Sequence, residues 1–207
     1  MVTMIKGIDI TLYTDSDTKT VSNVLVGEPA TSEGTLSYTL AIPKGDSHIW
    51  TDKKVSFFNK TFRTIGYPVE GIEENLPLLW NKQIKVELLI TNGNCTFFEK
   101  DTFTKHVFSD VLYQDLRGEA FTKSGEQKKG DVNIHIYAVN HDDFSYTPKS
   151  GDIVVFGECD FIFDTSSQQT ASVSMKSFRE LYPGYAVVST SEHKICGTLP
   201  DYIITAR

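Results

Sequence analysis

Hydrophobic positions recur at every second residue along most of the chain. Ile8, Ile10 and Leu12, then Val21 with Val24 to Val26, then Leu36, Tyr38, Leu40 and Ile42 each put apolar side chains on one face of an extended segment, which is how a half-buried strand reads. Ile84, Val86 and Leu88 close this half of the chain in the same way. Turn formers fill the gaps, at residues 15–17, 29–34, 43–46 and 59–60, where Asp, Asn, Gly and Pro bend the backbone at low cost. Residues 91–94, centred on Asn92-Gly93, carry the strongest turn or linker signal.

Beyond that linker the same order of features begins again. Thr96-Phe97-Phe98 answers Ile10 to Tyr13, Thr104-Lys105 answers Thr18-Lys19, and Ser109 to Leu112 answers Ser22 to Leu25, all at an offset of 86 to 87 residues. Val132, Ile134, Ile136 and Ala138 repeat the alternation of Leu36 to Ile42, and Gly151 to Phe161 answers Asp52 to Phe62. Each half ends in an extended run after a Leu-Pro pair, Leu76-Pro77 and Leu199-Pro200. The second half is longer by two inserts. Residues 114–130 are polar and rich in Gly and Lys, the composition of a loop. Residues 172–182 carry Met175, Phe178, Leu181 and Tyr182 at helical spacing, a Ser for the N-cap and Pro183-Gly184 as a stop, which predicts one short amphipathic helix packed on its own unit. The fold expected is mainly β: two tandem small β-barrel-like domains, residues 1–90 and 94–207, with one short helix in the second. Each half has its own aromatic set to line a core, Phe57, Phe58, Phe62 and Trp80 against Phe97, Phe156, Phe161 and Tyr202.

Composition adjusts this picture little. Hydrophobic residues make up 40% and charged residues 23% of the 207, an ordinary folded composition. No apolar stretch approaches the roughly 20 residues of a membrane-spanning helix, and no secretory leader is expected at the N-terminus. Cys95, Cys159 and Cys196 are an odd number at wide spacing, suited to reduced thiols in a cytoplasmic product rather than to a disulfide framework or a zinc site. The net charge of −7 argues against a protein built to grip nucleic acid, since phosphate neutralisation needs clustered Lys and Arg.

Candidate chemistry is sparse. There is no G-x-S-x-G elbow and no phosphate-binding Gly-rich loop. The pairs Glu73-Glu74 and Asp142-Asp143 are adjacent, so on a strand their carboxylates point to opposite sides. His135 and His141 fall on one face of a straight strand but roughly 20 Å apart, too far to share a metal. No catalytic residue, cofactor or metal is expected. One nucleic-acid pattern remains: Lys53, Lys54, Phe57, Phe58, Lys60 and Arg63 interleave basic and aromatic residues, as single-strand binders do.

Two strings carry a family likeness. With Tyr38 to Asp46, Phe62 to Gly66, Gly71-Ile72-Glu73 and Leu79-Trp80-Asn81-Lys82, the first half resembles the head-closure proteins of tailed phages, the stopper or head–tail joining group. With Gly151 to Val155, Cys159, Tyr182-Pro183, Val187 to Ser189 and Leu199-Pro200, the second half is similar to phage minor capsid proteins, although it closes on Asp201-Tyr202 where a His-Trp close is expected. The resemblance implies a structural virion protein and not an enzyme: a homo-oligomeric ring of the head–tail connector, made in the host bacterial cytoplasm. It would join portal and adaptor proteins to the tail around a channel through which DNA passes unbound by sequence, with no membrane partner. Contact surfaces are expected on the loop of Gly27, Glu28 and Pro29, and on the loop of Lys44, Asp46, His48 and Trp50. Glu70, Glu73 and Glu74, and Arg117 and Lys123 in the polar insert, complete the set. Two other functions fit the same chain. One is a minor capsid or tail-terminator-like structural protein, the other a β-barrel module for carbohydrate or single-stranded nucleic acid.

Overall fold

The computed structural model describes residues 5–14, 17–32, 35–72, 78–117, 119–121, 127–129, 131–141, 145–195 and 200–207. Within them the chain is mainly β with one α-helix, and it divides into two compact units, one built mainly from the residues up to Leu89 and the other mainly from Ile90 onward. The first unit holds β1 (Ile8–Tyr13), β2 (Thr18–Val26), β3 (Ala30–Ser32), β4 (Thr35–Pro43), β5 (Lys54–Phe57), β6 (Lys60–Glu70) and β7 (Trp80–Leu88). Neighbours pair antiparallel in the order β2-β1-β5-β6-β7-β4-β3. A further pairing of β2 with β4, Leu25 opposite Ala41 and Val26 opposite Leu40, closes six of these strands on themselves and leaves β3 outside as an extension of β4. Closure removes the open edges at which sheets aggregate. The alternation seen in the sequence now has its cause: Ile10, Leu12, Val21, Val24, Leu40, Ile42, Val55, Phe57, Phe62, Ile84 and Val86 point inward and make one core.

The second unit comprises β8 (Gly93–Phe98), β9 (Lys105–Asp115), β10 (Glu119–Phe121), β11 (Gln127–Lys129), β12 (Val132–Ile136), β13 (Ile153–Phe156), β14 (Ala186–Ile195) and β15 (Pro200–Ala206). Its closed barrel runs β12-β15-β14-β13-β8-β9. Reading β8 for β1, β9 for β2, β12 for β4, β13 for β5, β14 for β6 and β15 for β7, the two orders are the same. Inside this barrel lie Phe97, Phe108, Val111, Val132, Ile134, Ile136, Val154, Ala186, Val188, Ile204 and Cys95, whose thiol ionises less readily than usual because of its burial.

The correspondence extends to backbone irregularities. Asn23 (φ 60°) and Asp110 (φ 50°) keep the 87-residue offset and lie beside equivalent register shifts, in the β1–β2 and β8–β9 pairs. An Asn side chain ties each: Asn23 Oδ1 accepts from Gly7 N at 2.9 Å, and Asn94 Oδ1 accepts from Asp110 N at 3.3 Å. Ahead of the next strand, β5 or β13, Asp52 and Gly151 both have positive φ, and just after it so do Phe58 and Gly157. The carbonyls of Lys53 and Asp152 accept from Thr64 N and Val188 N, at 2.9 and 2.8 Å. Left-handed Asn and Asp residues are uncommon, so their recurrence at matched positions marks the halves as copies of one barrel.

Several sequence expectations need correction. Residues 29–34, read as a turn, contain β3. The helix α1 runs Gln168–Leu181, four residues earlier than the stripe suggested, because Ser167 caps it and forms a capping box with Thr170. The insert holding α1 begins at Gly157 and ends at Tyr185, occupying the place of the two-residue turn Phe58-Asn59, so Phe161 is not the counterpart of Phe62. Phe161 instead joins Phe98, Phe163, Phe178 and Tyr182 in a second aromatic cluster beneath α1. Phe58 and Phe156 are 58% and 48% exposed and line neither core.

Gly7 is the test of the bulge. A Cβ there would lie 2.4 Å from the Asn23 carbonyl carbon, a backbone atom that cannot rotate away. Gly7→Ala is expected to cost about 2 kcal/mol, measured by urea unfolding followed through the two tryptophans, Trp50 and Trp80, which both belong to the first unit.

Candidate functional site

In each barrel the third and fourth barrel strands are joined not by a hairpin but by a crossover, residues 44–53 in the first and 137–152 in the second. In the first, Asp46 organises the segment. Its carboxylate, 4% exposed, accepts from Trp50 Nε1 at 2.8 Å and from His48 N at 3.2 Å, with His48 Nδ1 at 2.6 Å. Its carbonyl accepts from Lys82 Nζ at 2.5 Å, and Lys82 also stands 3.7 Å from Glu70 Oε1. Glu70 receives Asn81 Nδ2 at 3.3 Å, and Lys44 N donates to the Leu79 carbonyl at 2.9 Å. A buried carboxylate needs such donors, and this one converts them into a lock on the crossover. An Asp–His pair at this distance also orients a general base, but among the described residues no Ser, Thr or Cys side chain bonds His48.

The second barrel repeats the device with other residues. Tyr146 Oη donates to Asp152 Oδ2 at 2.6 Å, and Asp152 further accepts from Lys149 N and Lys100 N at 2.7 and 2.9 Å. Burial raises the Tyr146 hydroxyl far above its ordinary ionisation range, and Asp152 adds to the effect. The His106 ring stacks on Tyr146 at 3.7 Å, with Nε2 2.8 Å from Glu99 Oε1; that bond, helped by Thr102, holds Glu99 below the usual carboxylate range.

The sequence-predicted contact residues therefore separate. Lys44, Asp46, His48, Trp50 and Glu70 come together at one end of the first barrel. Trp50 is 1% exposed and Asp46 nearly as hidden, so neither presents a surface; the 44–51 segment expected as a contact loop is largely a pinned crossover. Gly27, Glu28 and Pro29 lie apart from that cluster, exposed between β2 and β3. Arg117 is a brace: it holds Asp115 through Nε and Nη2 at 3.0 and 2.7 Å, and the carbonyls of Tyr185 and Gly184 at 2.8 and 2.7 Å. Glu73, Glu74 and Lys123 lie outside the described residues.

The sequence reading missed the surface beside the Asp46 lock. Tyr67, Val69, Ile72, Leu78 and Leu79 are each more than half exposed, as is Ile49 on the crossover. They follow Gly66 (φ 71°), after which the β6–β7 register shifts and pairing resumes at Val69 with Gln83 and Glu70 with Lys82. The clue was available in Gly66-Tyr67-Pro68, where the alternation of β6 breaks.

Asp46→Ala strands the buried Trp50 N–H and is expected to lower first-barrel stability by about 2 kcal/mol, read by tryptophan fluorescence in urea. Asp115 has a lowered pKa, caused first by its hydrogen bond to Arg117. Its contribution is present above the ordinary Asp range and lost as pH falls through the depressed folded value. Second-unit melting temperature should thus fall below about pH 4, and Arg117→Met should flatten that part of the profile.

Among known proteins, no curated sequence and no solved structure matches the chain. A family model does, over residues 90–207, which takes in the whole second barrel with its helix-bearing insert, and its description is a family of unknown function, DUF6751. With more than half of its length matched, the chain belongs to the DUF6751 family.

Proposed function

We propose that the chain is a structural virion protein of a tailed phage, a homo-oligomeric ring component of the head–tail connector that joins the portal–adaptor complex to the tail. The observation that carries this reading is that Tyr67, Val69, Ile72, Leu78 and Leu79, where β6 ends and β7 begins in a closed barrel, are each more than half exposed. Large apolar side chains exposed in number at one strand connection suit a protein-docking surface. Two barrels in tandem supply rigid bodies for packing around a channel, and each carries extra strand outside the barrel at the same connection, β3 in the first and the β10–β11 pair in the second. The head-closure likeness of the first half, from Tyr38 to Lys82, points to the same role. A net charge of −7 lets DNA pass without adhering. Such a protein is made in the host cytoplasm and ends in the particle.

A second reading has its own observation. Phe58, 58% exposed at the tip of the β5–β6 hairpin, is followed two residues later by Lys60, and the two strands carry Lys53, Lys54 and Arg63 further from the tip, an interleaving of aromatic and basic residues on which a single-stranded nucleic acid base would stack.

Mixing the purified chain with portal–adaptor complexes and examining the products by sedimentation and electron microscopy tests both. A closed ring seated on the adaptor is the expected result. A chain that ignores the complex and shifts a labelled oligonucleotide instead would overturn the connector reading and favour the second.

A further inference from the structure

We infer that Asn92-Gly93 is a site of spontaneous deamidation, held shut by the folded second barrel and opened when β8 parts from β9, so that an opening can leave a permanent chemical change in the chain. The inference goes beyond the connector reading and does not depend on it. The chemistry needs only water. The Gly93 backbone nitrogen bonds to the Asn92 side-chain carbonyl carbon, and Nδ2 leaves as ammonia with the proton that Gly93 N gives up. Water then opens the imide ring at either carbonyl, to aspartate or to isoaspartate. A side chain on the residue after Asn crowds the attack, and glycine has none. The chain contains one Asn-Gly pair, and this is it.

The fold restrains both partners of the reaction. Asn92 is exposed, so water reaches it, but its amide is engaged at both ends by one residue of β9. Nδ2 donates to the Tyr113 carbonyl at 2.7 Å, and Oδ1 accepts from Tyr113 N at 2.8 Å. The Asn92 backbone N–H donates to the Val111 carbonyl at 2.9 Å. Closing the imide ring turns the amide and pulls it off Tyr113, so both side-chain bonds must break first.

Gly93 is screened by Phe156. A Cβ on Gly93 would lie 2.8 Å from the Phe156 ring, so the ring stands where a side chain would be and restores the crowding that glycine lacks. Phe156 is kept there by the Tyr113 ring at 4.8 Å, by its pairing with Cys95, and by Gly157 N donating to the Asn94 carbonyl at 2.7 Å. This gives a task to an aromatic side chain that lines neither core. The same contacts account for the pair itself: position 92 needs a short amide to bridge Tyr113, and position 93 has no room for a Cβ.

Once the ring has opened, the original contact cannot re-form. An aspartate at position 92 turns a carboxylate oxygen toward the Tyr113 carbonyl where an N–H stood. Isoaspartate lengthens the main chain by one atom just ahead of β8, out of step with β9. Either product leaves the β8–β9 pair weaker and easier to open again.

Mass spectrometry of peptides spanning residue 92 follows the reaction in the full chain, held in mildly alkaline buffer with and without urea. With two hydrogen bonds to break, the native chain should react about 30-fold more slowly than the unfolded one. At intermediate urea its rate should follow the opening of β8 and β9 read by amide hydrogen exchange. Phe156→Ala should raise the native rate about tenfold, beyond any rise in exchange of the barrel core, and Phe156→Leu, which keeps an apolar cover, should restore protection. Asn92→Asp should speed amide exchange in β8 and β9 and leave β1 to β7 unchanged. Asn94, followed by Cys95, is the internal control and should stay intact in native and unfolded chains.

A native chain that deamidates as fast as the unfolded one would overturn the inference. So would a Phe156→Ala chain whose rate rises no more than its core exchange, an Asn92→Asp chain that exchanges like wild type, or an Asn94 that reacts as fast as Asn92.

Discussion

Both barrels depend on a buried aspartate that accepts the polar hydrogen of a buried aromatic ring. A six-stranded antiparallel barrel with this strand order cannot be made from hairpins alone: one connection must leave a strand and re-enter beside the first. That connection has no ladder to hold it, so its polar groups need partners from elsewhere. Asp46 supplies them by gathering Trp50, His48 and Lys82, and Asp152 by gathering Tyr146 and two backbone amides. The aromatic ring fills the barrel interior while its N–H or O–H reaches back to the carboxylate, so one side chain serves core packing and loop fixation together. The residues differ between copies, but the division of labour is the same.

With the crossover fixed, the other connections are free to vary. The copies diverge most at the β5–β6 position, where one has two residues and the other an insert with a capped helix and an aromatic cluster of its own. The longer copy adds Arg117, which ties the end of that insert to the β9–β10 connection. The family match falls on this elaborated copy, while the plainer first barrel presents the apolar loop and the strained hairpin.

Much of the fold was legible in the sequence. Period-2 alternation located β1, β2, β4 and β7, and the 86-to-87-residue offset exposed the duplication, because inward-facing positions tolerate only apolar residues. Short-range signals served less well. β3 is three residues long and forms by extending β4, which no local pattern records. The reach of the insert was misjudged because Phe161 sits where Phe62 would, and only the left-handed Gly157 shows that the chain has already left the barrel. Asp46 and His48 pair within the loop on which both were expected, whereas Glu70 joins them only through Lys82, which no local pattern records. Trp50 proved to be core, and the burial of an aromatic cannot be judged from a turn-rich segment. The exposed Tyr67, Val69, Ile72, Leu78 and Leu79 were passed over because apolar residues are assigned inward unless a bulge reverses them, and the bulge at Gly66 is set by its pairing with β7 rather than by the alternation itself.

The placement of sulfur has a use of its own. All three cysteines lie beyond residue 90, and Cys95 and Cys159 are buried. A thiol inside a barrel reacts with an alkylating reagent only when the barrel opens, so the rate of labelling at Cys95 times the opening of the second unit. Residues 1–89 hold no cysteine, so labelling at Cys95, set against the tryptophan signal of the first barrel, reads how independently the two copies breathe.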